Sequence, residues 1–569
     1  MAVVDTGEAA QAPGTKGGKG ITAQKVAVMP KRIKVSVTGG CSSGGCGGSC
    51  GCGSTRRSTE IGVASNAVRL HQPERPSSER FSNTDLPEAW DISKYPRVGA
   101  LLRSRKFQFM AVLPNQIIFW MVIFIGLAGT AVPGLNFGAA ITWYVWFCLL
   151  FVMMVVAGRA WCLMCPFGAF GEWVQKLTFW GHSQRRLTLG LKLPESWAGY
   201  GALISAGIFI GLTWIEEYFN IAGPGNPITT GWLVIGIISG AVLFFLIFER
   251  RSFCRYLCPL TSMIATFAQI GSVAGFRTRD RNKCLTCETK DCMRGGSHGA
   301  GCPWYTWPGA AESNAYCGLC TECYKACPYD NIGLFLQKPL TSVVQPRNRR
   351  IDIGWTLAAL CGLVLFQQIN AMPFYAPVDN WLNKATGFPH YPNPIDYLFT
   401  ITTIALTLGG IGWLMSKWLA APDAKLPVGG NTYLTKVTKF RSFFVPVMYG
   451  MIPVVGGDYF ARQLPKFLKH VTRVPVSVEH LWGAGSTHSW LYNFRLLTNP
   501  QIIDVQVAVV MTGALASAWA LWRIARRELV PLVRKSPIAT WGVRAAASGL
   551  ALGTGATMAF LYTLMGAAN

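Results

Sequence analysis

Apolar runs of nearly constant length dictate what this chain can become. They fall at about 110–131, 138–157, 198–215, 231–248, 352–372, 397–416, 442–457, 503–522 and 545–565. Each is close to the ~20 residues a helix needs to cross a bilayer core. Lipid offers the backbone no hydrogen bonds, so runs of this length predict helices. The seventh run is the weakest: it is short and holds Pro446 and Pro453.

Charge is distributed as in a membrane bundle. Only 14% of the residues are charged, against about a quarter in soluble domains. The net charge of +25 would point to nucleic acid in a soluble protein. In a membrane protein Lys and Arg gather in cytoplasmic loops and against anionic headgroups, and no nucleic-acid partner is expected. The loops read as inner are basic: Arg159, Lys176, Arg185 and Arg186, then Arg250 and Arg251, then Lys417, Lys436, Lys439 and Arg441. Arg523, Arg526, Arg527, Arg534 and Lys535 form the densest patch, and it falls inside only if the seventh run spans. Parity therefore predicts nine spans, at the cost of an outer 458–501 carrying Arg462, Lys466, Lys469 and Arg473.

The chain holds 18 cysteines. Its first 20 residues have no apolar core and Arg56-Arg57 precedes no apolar run, so neither a cleavable nor a twin-arginine signal is expected. Cysteines grouped as C-x-x-C then fit metal or cluster ligation in a reducing compartment better than disulfides. The strongest group is Cys284-Leu-Thr-Cys287-Glu-Thr-Lys-Asp-Cys292, followed by Cys302-Pro303 and by Cys317-Gly-Leu-Cys320-Thr-Glu-Cys323-Tyr-Lys-Ala-Cys327-Pro328. The last run is C-x2-C-x2-C-x3-C-P. Three of its thiolates suit one cubane, and the fourth, before proline, suits the other. The expected ligands are Cys284, Cys287, Cys292 and Cys327 for one 4Fe-4S cluster, and Cys302, Cys317, Cys320 and Cys323 for a second. Zinc also takes C-x2-C pairs, usually two across a long gap. Cubanes held by four cysteines pass single electrons, and no catalytic residue is assigned.

The first half repeats itself. Arg159-Ala-Trp-Cys162-Leu-Met-Cys165-Pro166 closes the second run, and Arg251-Ser-Phe-Cys254-Arg-Tyr-Leu-Cys258-Pro259 closes the fourth. Two helix pairs ending in Cys-Cys-Pro turns predict a duplicated unit. If the units face each other, Cys162, Cys165, Cys254 and Cys258 could hold a further metal or redox centre, form redox-active disulfides, or only shape helix ends.

With these motifs, residues 100–340 resemble the NosR/NapH-type membrane polyferredoxins. The resemblance implies a protein that passes electrons between the quinone pool and a respiratory partner, as the electron-transfer subunit of a quinol-linked complex in the cytoplasmic membrane. It also leaves an alternative, a copper reductase or maturation factor like the CcoG-type polyferredoxins. The chain departs from the family in three respects. Its first membrane motif is C-x2-C-P rather than C-x3-C-P, residues 1–100 hold no counterpart of a flavin-binding domain, and the C-terminal spans lie beyond the resemblance.

The expected fold class is an all-α polytopic membrane protein of about nine transmembrane helices with an inserted cytoplasmic ferredoxin-like domain for two clusters. Residues 1–100 read as disordered, 101–275 as the duplicated helix pairs, 276–340 as the ferredoxin-like domain and 341–569 as a C-terminal membrane region. The Gly-rich tract with Cys41, Cys46, Cys50 and Cys52 is either a soft-metal site or an inert tail. His390, His470, His480 and His488 are placed in outer loops, where haem, copper or a quinol headgroup competes with ordinary polar roles. Thr554-Gly-Ala-Thr557 matches the core of a covalent-flavin motif, but lies among small residues that serve helix packing. Cys148 and Cys361 are read as buried packing residues.

Overall fold

The computed structural model describes residues 86–132, 134–180, 187–194, 197, 199–221, 226–345, 349–422, 426, 437–533 and 536–568. The tract holding Cys41, Cys46, Cys50 and Cys52 lies outside these residues. Helices occupy all nine apolar segments. They begin with α1 (Phe107–Ala128) and α2 (Phe137–Ala157). After the amphipathic α3 (Pro166–Lys176) come α4 (Gly201–Tyr218) and α5 (Pro227–Ile247). The short α6 (Leu260–Phe267) leads into the cysteine-rich lobe. Beyond that lobe stand α7 (Ile351–Asn370), α8 (Pro394–Trp418), α9 (Lys439–Gly450), α10 (Ile452–His470), α11 (Asn499–Ile524) and α12 (Pro537–Ala568).

Among the described residues seven helices are long and apolar enough to cross a membrane, or eight if α9 and α10 form one span bent by 41°. This is an integral membrane protein. The remaining segment of the expected nine is α4, whose last turn carries Glu216 and Glu217. Pro446 sits inside α9 and Pro453 lies in the first turn of α10. Proline removes a backbone donor, which is why helices bend there.

α7 is the centre of the bundle: 83% of its apolar stretch is buried, against 17% for α8. α8 turns Phe399 and Leu406 outward, as a lipid-facing helix does. Elsewhere small residues let backbones close up. A Cβ on Gly126 of α1 would stand 3.4 Å from the Gly231 Cα of α5. Gly555 packs against Ala514 in the same way, and the Thr554 and Thr557 hydroxyls bond carbonyls of their own helix. That segment serves packing.

The basic residues expected in an outer loop instead continue a helix. α10 runs to His470, so this histidine ends a helix rather than lying in a loop. Arg462 Nη2 lies 3.7 Å from Glu217 Oε1 at the end of α4, and Lys466 Nζ stands 5.6 Å from the centroid of the Trp143 ring. Carboxylate and aromatic partners thus absorb positive charge that the loop count left unexplained.

The cysteine-rich lobe is organised by a three-stranded antiparallel sheet of β1 (Trp90–Asp91), β2 (Val273–Thr278) and β3 (Ile332–Leu336), in the order β1-β3-β2. Residues 86–100, expected to be disordered, are therefore part of this lobe. Arg279 Nε donates to Asp91 Oδ2 at 2.7 Å, and Arg103 pairs with Asp330 at 2.7 Å. Replacing Glu217 with Ala should lower the melting temperature of the detergent-solubilised protein, by about 1–3 kcal/mol of stability. Arg462 would lose its carboxylate and Gln367 an acceptor.

Candidate metal centres

The lobe's cysteines fall into two adjoining groups. Cys284 lies in the helical turn Arg281–Thr286, Cys287 ends that turn, Cys292 lies in Asp291–Arg294, and Cys327 ends Glu322–Ala326. Around Cys292 stand Cys284, Cys327, Cys302 and Cys287, all near enough to bias its charge. Around Cys323 stand Cys302, Cys317, Cys320 and Cys292. The two neighbourhoods overlap at Cys292 and Cys302, each of which lies near members of both expected ligand sets. The Cys302 amide donates to the Cys292 carbonyl at 2.8 Å, so the two groups share a seam. Donors already point at sulfur: Asn331 N at 3.4 Å from Cys327 Sγ, Phe276 N at 3.4 Å from Cys317 Sγ, and Thr306 N at 3.4 Å from Cys302 Sγ. Gly275 makes room for this. It takes φ +85° at a bulge in β2, where a Cβ would lie 3.1 Å from that of Cys317.

The membrane-end cysteines also come together. Cys162 lies in the turn Ala160–Met164 and Cys165 follows it, while Cys254 lies in the π-helical turn Phe253–Leu257 and Cys258 follows that. A Cβ on Gly168 of α3 would fall 3.2 Å from Cys254 Sγ, so one unit's helix passes over the other unit's thiol. Arg251 Nη1 donates to the Cys162 carbonyl at 3.1 Å and ties the units together. All four are free thiols. The departure from C-x3-C-P has a local cause. Both second cysteines adopt the same extended pre-proline backbone, Cys165 at φ −66°, ψ 121° and Cys258 at φ −59°, ψ 119°, as a residue before proline prefers. The π turn absorbs the extra residue of the second unit.

Sequence reasoning missed the cations. Arg159 and Arg251, read as loop markers, are buried at 0% and 1% exposure, and Arg255 is buried at 3%. Arg159 Nη2 is 3.6 Å from Cys162 Sγ, and its guanidinium stacks 4.4 Å from the Trp304 ring. Arg251 carries its charge next to both Cys254 and Cys320. Of the three, only Arg251 meets a carboxylate among the described residues, that of Glu172, with Nε donating at 2.6 Å. Their adjacency to Cys-Cys-Pro motifs was the available signal.

The donor set fits anionic iron–sulfur clusters. Burial pushes the Cys317 thiol up to about 11, and pushes Cys292, Cys302, Cys320 and Cys323 up as well, with neighbouring thiols adding to most of these shifts. At the membrane end burial takes Cys165 to about 12 and Cys258 to about 11. Buried thiols that resist ionising singly become thiolates together when bound iron compensates their charge. Among the described residues no three His, Cys, Asp or Glu side chains are placed to hold a single metal ion. Three of the four candidate histidines are engaged locally: His480 Nδ1 contacts the Gly485 carbonyl at 2.9 Å, and His390 and His470 lie against Tyr218 and Tyr144.

A 4Fe-4S binding domain family matches the chain twice, over residues 139–188 and 230–276. The two matches are consistent with a ferredoxin-type iron–sulfur protein. Each match covers the second helix of one pair with its Cys-Cys-Pro turn, and the same family model thus fits both copies of that part. No curated protein and no solved structure matches the chain.

Glu172 tests the joint between α3 and the second unit. Burial would raise its carboxyl, but the charges of Arg251 and Lys176 outweigh burial and hold it at about 2. A depressed carboxyl stabilises fully above its ordinary value near 4.5, and that stability fades as pH falls toward about 2. Glu172→Gln should therefore cost about 3–5 kcal/mol at neutral pH, because Arg251 is left buried without a partner. Melting curves of the solubilised variant should also lose most of this acid sensitivity.

Proposed function

We propose that this chain is a membrane-bound electron-transfer protein that passes electrons between the quinone pool and a respiratory partner. Cys284, Cys287, Cys292 and Cys327 hold one 4Fe-4S cluster, and Cys302, Cys317, Cys320 and Cys323 hold the second. Cys162, Cys165, Cys254 and Cys258 form a further redox centre. Such clusters, when bound, accept and release one electron each.

The observation that carries this reading is the continuity of the three thiol groups. Cys292 and Cys302 share a backbone hydrogen bond, and one guanidinium, Arg251, borders both Cys254 and Cys320. The residues themselves bury the thiols, aim N–H groups at sulfur and surround them with positive charge. These are the protein's means of setting a reduction potential.

The lobe belongs on the cytoplasmic side, and the chain crosses nine times. Two contacts support this. Arg527 Nη2 donates to the Gln345 carbonyl at 2.9 Å and Arg441 Nη2 to the Arg349 carbonyl at 3.3 Å, so the basic ends of α9 and α11 meet the segment that leaves the lobe. Positive loops mark the inner face. Meanwhile α4 and α10 meet through Glu217 and Arg462, as alternating crossings require.

Low-temperature EPR on anaerobically purified protein tests the function. Adding a quinol should raise the signals of two interacting reduced 4Fe-4S clusters. Reduction by dithionite alone would sink the quinol role. Cys254→Ser with Cys258→Ser should slow quinol-dependent reduction at least tenfold while the two lobe signals keep their amplitude; unaltered kinetics would remove the membrane-end cysteines from the pathway.

A further inference from the structure

A cleft opens where α3 meets the cysteine-rich lobe, with about 630 Å³ of empty space, mouth included. Its outer wall is aromatic. Trp173, Phe179 and Trp180 line it, and Phe109 at the start of α1 packs behind them, 5.6 Å from Trp173 and 5.0 Å from Trp180, centroid to centroid. Trp180 is 47% exposed. Trp180 lies just past the amphipathic α3, and tryptophans are enriched where a membrane protein meets the lipid interface. The inner wall is polar, made by Glu172 and Lys176 of α3 and by Glu322 and Lys325 of the lobe.

The cleft reaches toward the thiols. A smaller cavity shares Glu172, Lys176, Ala300 and Glu322 with it and continues to Arg251 and to Pro303, the residue after Cys302. Arg251 borders Cys254 and Cys320, and Glu322 precedes Cys323. The two cavities thus run from an aromatic side at Trp173, Phe179 and Trp180 to the guanidinium of Arg251, which stands between them and the thiols.

We propose that this cleft binds the ring of a quinol, with its isoprenoid tail leaving past Trp180 into lipid; the proposal rests on the quinol reading above. Lys325 pairs with Glu322, while Glu172 is shared between Lys176 and Arg251. Lys176 therefore keeps donor capacity for one oxygen of a ring. Glu172 stays ionised under its two cations, so its part is to position Arg251 and Lys176 rather than to take a proton. Lys176 Nζ is a donor for a quinone oxygen. His298, on the rim, can pass protons to water. The balance is simple: a quinol leaves as quinone, its two electrons go singly to two thiolate-ligated clusters, and its two protons go to water.

The test uses the full-length protein in detergent, an azido-substituted short-chain ubiquinone as photolabel, and decylubiquinol as reductant. The label should map to peptides spanning 173–180 or 298–325. Trp180→Ala should raise the apparent KM for decylubiquinol by about 3–10-fold, the loss of one ring contact. Its dithionite-reduced EPR signal should be unchanged, and Trp180→Phe should restore most of the affinity. Labelling confined to other segments, or a wild-type KM in Trp180→Ala, would overturn the site while leaving the functional reading intact. A wild-type protein that no quinol reduces would overturn that reading and the site with it.

Discussion

Three buried guanidiniums set the terms for the rest of this structure. A cation removed from water costs several kcal/mol unless its surroundings compensate. Arg251 finds Glu172, while Arg159 and Arg255 find the carbonyls of Ala315 and Trp304 and the faces of Trp304 and Tyr316. Each of these contacts crosses from the membrane units to the lobe or from one unit to the other. The arginines therefore weld three parts of the fold at the place where thiols gather. Thiolates and guanidiniums are each expensive to bury alone, and each lowers the cost of the other. Cluster loading and closure of this joint should be one cooperative event, since a metal site absent from the unfolded chain feeds its binding energy into folding.

Much of the architecture was legible from apolar run length, because lipid forces helices wherever some twenty apolar residues follow one another. The gathering of the lobe's cysteines was legible from C-x2-C-x2-C-x3-C-P, since that spacing keeps thiols close enough to wrap a cubane. The misses share a cause. Charge was read as a statement about loops, so Arg159 and Arg251 were counted as surface markers, and Arg462 and Lys466 as an awkward outer segment. In each instance a partner distant in sequence decides the outcome. Glu172 lies 79 residues from Arg251, and no local pattern announces it. The strand Trp90–Asp91 was missed for a similar reason: two residues carry no period, and only pairing with Phe335 and Leu336 makes them a strand.

The bundle also separates tasks. α7 is packed on all sides and fixes the segment that leaves the lobe, whereas α8 is largely turned outward. The family matches stop before α7, yet α7 packs against α4 and α6. The C-terminal region is thus joined to the duplicated units through the packing of α7.

The π turn at Phe253–Leu257 has a consequence of phase. An extra residue in an ordinary helix rotates everything after it by about 100°. Had the insertion between Cys254 and Cys258 been carried as α-helix, the following proline and α6 would point elsewhere, and the second thiol of that unit would leave its counterpart. Widening one turn cancels the rotation within five residues. The two copies therefore tolerate different lengths while keeping the same aim. Deleting one residue there should restore an α turn with the phase preserved, whereas adding one between Cys162 and Cys165 would need the turn Ala160–Met164 to widen in the same way.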